Sequence, residues 1–247
     1  MKILGSDYDG TLNHGGIDTE KKNAISRWRK AGNIFALISG RCINDVLAIY
    51  KEKAFECDYI ISNNGAVIMK PDGTKVSDVR CKGEIAKPLI ECLLDCGCRW
   101  CNIETAFRCK VFDDEKDCNE KGDYILEKMP QIPYFNQINV SLQSVERAAE
   151  VTAIITEKFG NWLNPLQNGN CIDIVHKDID KAKGLYILAE LVGGKHEDII
   201  AVGDNLNDRQ MIAEFRSYAM ENGVEEIKAI ADYITKSVTD LIYKELI

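Results

Sequence analysis

Short apolar runs alternate with helical periods over the first sixty residues, the pattern of a parallel sheet fed by crossover helices. Residues 3–6 and 34–38 read as strands. Between them Ala24, Ile25, Trp28 and Ala31 share one helical face, with Asp18 or Thr19 placed to cap its start and Gly32 to end it. A second helix carries Ile43, Val46, Leu47 and Tyr50 at core spacing, and 59–61 predicts a third strand. After Asn63-Asn64-Gly65 the pattern changes: 66–69 and 74–79 flank Pro71-Asp72-Gly73, a hairpin signal. Beyond Gly83, helices expected near 85–96, 115–129 and 145–159 alternate with strands near 100–104, 110–112, 137–142 and 171–175. From Asp180 the parallel texture resumes, with Leu185, Leu188, Ala189 and Val192 lining a helix before an apolar strand over 198–202 that ends at Gly203. No internal repeat is present. The pattern predicts an α/β protein, a Rossmann-like parallel-sheet core over 1–82 and 177–247, interrupted by an α+β module over 83–176.

Composition narrows the partners. Of 247 residues, 39 are acidic and 31 are Lys or Arg, a formal net charge of −8 that argues against a nucleic-acid or anionic-membrane partner. No run approaches the roughly 20 apolar residues of a bilayer span, and Met1 leads into a strand instead of a basic-plus-apolar leader. A cytoplasmic protein is expected; nothing in the sequence sets its oligomeric state. Seven of the ten cysteines fall between Cys81 and Cys118. Cys92, Cys96, Cys98 and Cys101 have the look of zinc spacing, but no histidine lies nearby, and Cys92 and Cys96 continue an amphipathic helix. Reduced thiols acting as small buried hydrophobes are the preferred reading.

The chemistry gathers at strand ends. The first strand runs into Asp7-Tyr8-Asp9-Gly10-Thr11-Leu12, and the late strand into Gly203-Asp204-Asn205-Leu206-Asn207-Asp208. Carboxyl ends of parallel strands are where open α/β sheets build ligand sites, and alternation along the first strand puts Asp7 and Asp9 on one side. If the two strands are neighbours, four carboxylates converge. Two unit charges about 4 Å apart repel by roughly 4 kcal/mol at an effective dielectric of about 20, so the cluster calls for a cation. A hard divalent ion with oxygen ligands answers it, and Mg²⁺ keeps positions for water and a phosphate. Ser39-Gly40-Arg41 closes a third strand, offering a hydroxyl and loop amides to a phosphate at a helix start. Each motif alone reads as an ordinary turn or helix cap; the three at equivalent strand ends read as one site.

These segments, with a downstream lysine, resemble the four motifs of the haloacid dehalogenase superfamily. The insertion between the second and third motifs, together with Ser62-Asn63-Asn64-Gly65-Ala66, is similar to the Cof-type phosphatases with a C2B cap. The resemblance implies a magnesium-dependent phosphatase acting on a small phosphorylated metabolite, a sugar phosphate above all. It implies Asp7 as nucleophile, forming an aspartyl-phosphate, and Asp9 as general acid and base. It places Asp204 on Mg²⁺ beside Asp7 and the Asp9 carbonyl, Asp208 on the lysine and the water around the metal, and Asn207 beside that network. Ser39, Gly40 and Arg41 would receive the phosphate. Lys181 and Lys183 both compete for the lysine: alignment of Leu185 and Leu188 favours Lys181, whereas a Lys directly before Gly favours Lys183. Ala219-Met220-Glu221-Asn222-Gly223 departs from the Cof-type text in its last residue, and the tail after Thr235 lacks the usual segment, which bears on substrate preference. The alternatives are a sugar phosphomutase using the same chemistry, its second phosphate gripped by cations such as Arg99, Arg108, Lys110 or Arg147, and an inactive binding or regulatory relative.

Overall fold

The computed structural model describes residues 1–105 and 132–247, and the backbone course of 108–113. The chain divides into two compact units, Met1–Ser77 with Asp180–Ile247, and Asp78–Ile179.

The first part of the core unit runs β1 (Ile3–Asp7), α1 (Thr19–Lys30), β2 (Ile34–Ile38), α2 (Ile43–Lys53) and β3 (Tyr59–Ser62), followed by β4 (Val67–Met69) and β5 (Lys75–Asp78). Asp18 caps α1, its carboxylate accepting the Lys21 N–H at 2.8 Å. The β4–β5 turn closes where the Pro-Asp-Gly signal placed it, with Lys70 N–H donating to the Thr74 carbonyl at 2.9 Å.

The inserted unit contains β6 (Cys81–Lys82), α3 (Ala86–Asp95), β7 (Trp100–Glu104), β8 (Arg108–Asp113), β9 (Tyr134–Phe135), β10 (Gln137–Ser141), α4 (Val145–Phe159), β11 (Leu163–Asn168) and β12 (Cys171–His176). The helix expected over 115–129 lies outside the described residues. Five strands form one sheet in the order β11-β12-β10-β7-β8. Ile103, Ile138, Val140, Ile172 and Ile174 turn to one face and pack with Leu89, Ile90, Leu93, Val151 and Ile155 of α3 and α4. The strand at β11 escapes the alternation signal because Asn164-Pro165 interrupts it; as an edge strand it tolerates a proline that a central strand would not.

The chain then completes the core unit with α5 (Lys181–Leu191), β13 (Ile199–Gly203), α6 (Arg209–Glu214), β14 (Arg216–Met220), α7 (Glu225–Lys228), β15 (Tyr233–Thr235) and α8 (Val238–Glu245). Its sheet has the order β15-β14-β13-β1-β2-β3-β4-β5, parallel from β15 through β3 and antiparallel at β4. Alternate residues serve opposite faces. Leu4, Phe35, Leu37, Ile60 and Val202 pack with Trp28, Val46 and Leu241, whereas Ile3, Ile38, Ile61 and Ala201 pack with Leu185, Leu188 and Met211. A sheet covered on both faces favours apolar residues on both sides of each strand, which is why these strands read as near-continuous apolar runs. β13 is hydrogen-bonded directly to β1, so the two acidic loops leave adjacent strand ends.

The eight described cysteines are all free. Burial pushes the thiols of Cys57 and Cys81 up to about 12, as expected of inert apolar packing. Cys98 and Cys101 belong to the core of the inserted unit while Cys92 and Cys96 are partly exposed. Among the described residues, the one cluster of three or more metal-ligating side chains is made of aspartates, not of these thiols.

Candidate active site

At the end of β1 the backbone stops being a strand. Asp7 finishes it, and Tyr8–Leu12 coil into one tight turn in which Gly10 takes φ 77°. A side chain at Gly10 would collide with the Asp204 carboxylate, so glycine serves both the left-handed conformation and the close approach. The turn separates the two acids that strand alternation would have kept together. The Asp7 carboxylate turns inward, 5 % exposed, whereas Asp9 points to the surface into a two-pronged bond with Arg41: Nε and Nη2 donate to Oδ2 and Oδ1, each at 2.8 Å.

Lys181, the first residue of α5, is fully buried, and its Nζ donates to Asp7 Oδ1 and Asp208 Oδ1, both at 2.6 Å. Lys183, one turn face away, is exposed and lies over the Tyr186 ring. The structure thus brings Lys181, not Lys183, to the acidic cluster. A lysine at a helix start works against the helix dipole; here two buried carboxylates offset that cost. Burial also works against the ammonium, but Asp208 and Asp7 outweigh it and hold its pKa above the ordinary lysine range. The start of α5 is braced by the loop after β3. Asn63 and Asn64, each at φ 51°, lead into Gly65, where a side chain would strike the Asp180 carbonyl, and a Cβ on Gly184 would come within 2.7 Å of the Gly65 Cα. Two glycines therefore let the loop and the helix touch.

Asp208 acts as an internal cap. Its Oδ2 accepts the backbone N–H groups of Asp204 and Asn205 at 2.9 and 3.1 Å, while Oδ1 serves Lys181. Asp204 Oδ1 accepts the Thr11 hydroxyl at 2.7 Å. Two contributors lie outside the expected residue set: Thr11, and Asn222, whose Nδ2 donates to the Gly10 carbonyl at 2.9 Å. Both sit inside segments the motifs had marked, but a hydroxyl or amide that orders a turn has no sequence signature distinct from the turn itself.

Ser39 follows β2 directly and is nearly buried, its Oγ accepting the Arg41 N–H at 3.1 Å. Asn63 N–H and Asn64 N–H donate to the carbonyls of Arg41 and Ser39, fixing the loop that holds Gly40. The helix that follows, α2, starts after Cys42 without a side-chain cap. Asn207 is half-buried in the turn between Asn205 and Asp208.

Carboxylate oxygens of Asp7, Asp204 and Asp208 lie within 4.8 Å of one another. Burial, then Asp208, raises the Asp7 pKa well above the usual carboxylate range, against the pull of Lys181; burial also raises that of Asp204. Three carboxylates against one ammonium leave two negative charges when all are ionised, and Oδ2 of Asp7 and of Asp204 stand outside the bonds to Lys181 and Thr11. An all-oxygen donor set with a charge deficit of two fits a hard divalent cation. Asp9 contributes no carboxylate to this cluster.

In the inserted unit, Asn102, Asn139 and Asp173 form one row across β7, β10 and β12, on the sheet face opposite the helix-packed isoleucines. Asn139 Nδ2 donates to Asp173 Oδ1 at 2.5 Å. Oδ1 of Asn102 and of Asn139 are buried without a hydrogen-bond partner among the described residues.

A doubly covered parallel sheet thus carries acidic loops at adjacent strand ends, with a buried lysine between two of their carboxylates. The family model of the haloacid dehalogenase-like hydrolases matches residues 4–242, and the chain belongs to that family, among its Cof-type phosphatases. It is 26% identical to the 5-amino-6-(5-phospho-D-ribitylamino)uracil phosphatase YbjI of Escherichia coli, over 100% of this chain and 96% of that protein. It is 24% identical to the phosphatase YwpJ of Bacillus subtilis, over 95% and 94%. The fold matches a haloacid dehalogenase-like hydrolase from B. subtilis with a TM-score of 0.82 at 20% identity, covering 100% of both chains. It also matches the subclass IIB sugar phosphatase BT4131 with a TM-score of 0.77 at 20% identity, covering 99% of each.

Proposed function

We propose that this phosphatase is Mg²⁺-dependent, passes the phosphoryl group through Asp7, and acts on a small phosphorylated polyol or sugar. The observation that carries the reading is the buried Asp7–Lys181–Asp208 array beside Asp204, which presents a carboxylate oxygen and a charge deficit at one point. Asp7 attacks phosphorus and Lys181 offsets charge on the nucleophile and on the phosphoryl oxygens. Ser39, Gly40 and Arg41 receive those oxygens, with the uncapped start of α2 favouring the anion, and Asn207 lies beside them. Asp9 gives its proton to the departing alcohol and then takes one from the attacking water. To do so it must leave Arg41, and that pair is 43% and 52% exposed, a setting in which an ion pair contributes only ~0–1 kcal/mol. Asp7 and Asp204 would hold Mg²⁺, with the Asp9 carbonyl; bound there, the ion supplies charge neutralisation for the transferring group.

Phosphate release from a panel of metabolite esters tests this reading. Activity is expected to vanish with a chelator and return with Mg²⁺, and Ca²⁺ is expected to inhibit because it takes more ligands in looser geometry. Undiminished turnover in EDTA after dialysis would refute the metal role. Isomerised hexose phosphate without net phosphate release would instead favour mutase chemistry.

The polyol class has its own support: the name of YbjI, a relative over the whole chain, describes a phosphate on a ribityl chain.

A further inference from the structure

One side chain outside every motif holds the loop that leaves the nucleophile. Lys21, in the first turn of α1, is 6% exposed, and its Nζ donates to three main-chain carbonyls: Leu12 at 2.7 Å, His14 at 3.0 Å and Gly16 at 2.7 Å. Three N–H donors meeting three convergent acceptors saturate the ammonium. Burying that charge is costly, and burial lowers its pKa, with Asp18 opposing. The contacts go to main chain alone, so what they determine is where three carbonyls stand.

Those carbonyls belong to the segment that carries the chemistry. Leu12 ends the turn bearing Asp9 and Thr11. Asn13 N–H and His14 N–H close that turn on the carbonyls of Tyr8 and Thr11, at 2.9 and 3.2 Å. Gly15 and Gly16, at φ 70° and 84°, give the next residues little conformational preference of their own. The turn is thus tied on one side by Thr11 to Asp204 and by Asn222 to Gly10, and on the other by Lys21.

We propose that Lys21 is a positioning residue: the internal cation of a carbonyl cage that keeps Asp9 and Thr11 in register with Asp204. The inference rests on Asp9 being the acid and base of a phosphatase. It has a consequence that simple packing lacks. Shortening the side chain leaves three convergent carbonyls around a space matched to a small N–H cation, so added ammonium should replace what was removed.

The test is Lys21→Ala in the full chain, assayed on p-nitrophenyl phosphate and on a sugar phosphate. Expected are a kcat loss on the order of tenfold to a hundredfold with KM little changed, and recovery with ammonium chloride but not with tetramethylammonium chloride at equal ionic strength. Amide hydrogen exchange across residues 8–17 should rise on the order of tenfold and fall again with ammonium. Lys21→Arg, which keeps charge and helix, is the second variant. Its planar guanidinium cannot converge on three carbonyls, so kcat should fall there too without ammonium rescue. Wild-type kcat in both variants, with only the melting temperature lowered, overturns the proposal, as does equal recovery with both salts. If the unmodified protein hydrolyses no phosphate ester, the phosphatase mechanism fails instead, and the exchange measurement still decides whether Lys21 fixes the turn.

Discussion

Asp7→Asn is expected to abolish phosphate release, a loss on the order of 10⁴-fold or more, because it removes the oxygen proposed to attack phosphorus. That carboxylate is buried, and its Oδ1 is held 2.6 Å from the Lys181 ammonium. Asp208 is spent on Lys181 and on two backbone N–H groups, and Asp204 accepts Thr11. Asp9→Asn separates the two acids of the first motif. It keeps the nucleophile but cannot exchange a proton, so an ordinary alkyl phosphate should be nearly inert with either variant. An activated aryl phosphate needs little protonation as it departs. With that substrate Asp9→Asn should become phosphorylated at Asp7 and then stall, since nothing activates the water of the second step. Rapid-quench mass spectrometry checks this: a phosphoryl group on Asp7 in the Asp9 variant and none in the Asp7 variant. A phosphoryl group on Ser39 or Asp204, or normal turnover in Asp7→Asn, would overturn the mechanism.

Lys181→Met is expected to damage both stability and turnover. A buried ion pair stripped of one partner costs about 3–5 kcal/mol, because the remaining charge is left uncompensated in a low-dielectric site. Here one deletion strands two carboxylates, Asp7 and Asp208, both at 2.6 Å from Nζ. Thermal unfolding should show a clear fall in melting temperature, and kcat should drop even at temperatures where the variant stays folded. Lys183→Met is the matched comparison. Its ammonium is exposed over the Tyr186 ring, where a surface substitution changes stability by no more than about 0.5 kcal/mol. Loss of activity in Lys183→Met with retention in Lys181→Met would reverse the assignment of the lysine.

Much of the core was legible along the chain. Leu4, Phe35, Ile60 and Val202 on one sheet face, with Ile3, Ile38, Ile61 and Ala201 on the other, make strands that are apolar on both faces until their carboxyl ends. Such runs announce a sheet covered by helices on both sides. The Asp18 cap and the Pro-Asp-Gly turn were readable because each is a local device whose partner lies within a few residues. The edge strand β11 was not, since Pro165 and its polar neighbours suppress alternation and only pairing with β12 makes them a strand.

The candidate site divides in the same way. Sequence by itself determined the chemical inventory: two acidic motifs and a serine loop at strand ends, and a lysine at one of two positions, because residue type and strand context are local properties. Tertiary structure decided everything that depends on distance between remote residues. It brought Lys181, and not Lys183, against Asp7 and Asp208, since the helical repeat turns one lysine inward and leaves the other exposed. It parted Asp7 from Asp9, since the chain leaves the β conformation at Tyr8 and strand alternation no longer applies. It gave Asp208 to the lysine and the backbone, and it enlisted Lys21, Thr11 and Asn222, whose partners are carbonyls and carboxylates that sequence cannot rank. Hydrophobic periodicity is written along the chain, but a hydrogen bond between residues 174 positions apart, such as that from Lys181 to Asp7, exists only once the core has packed.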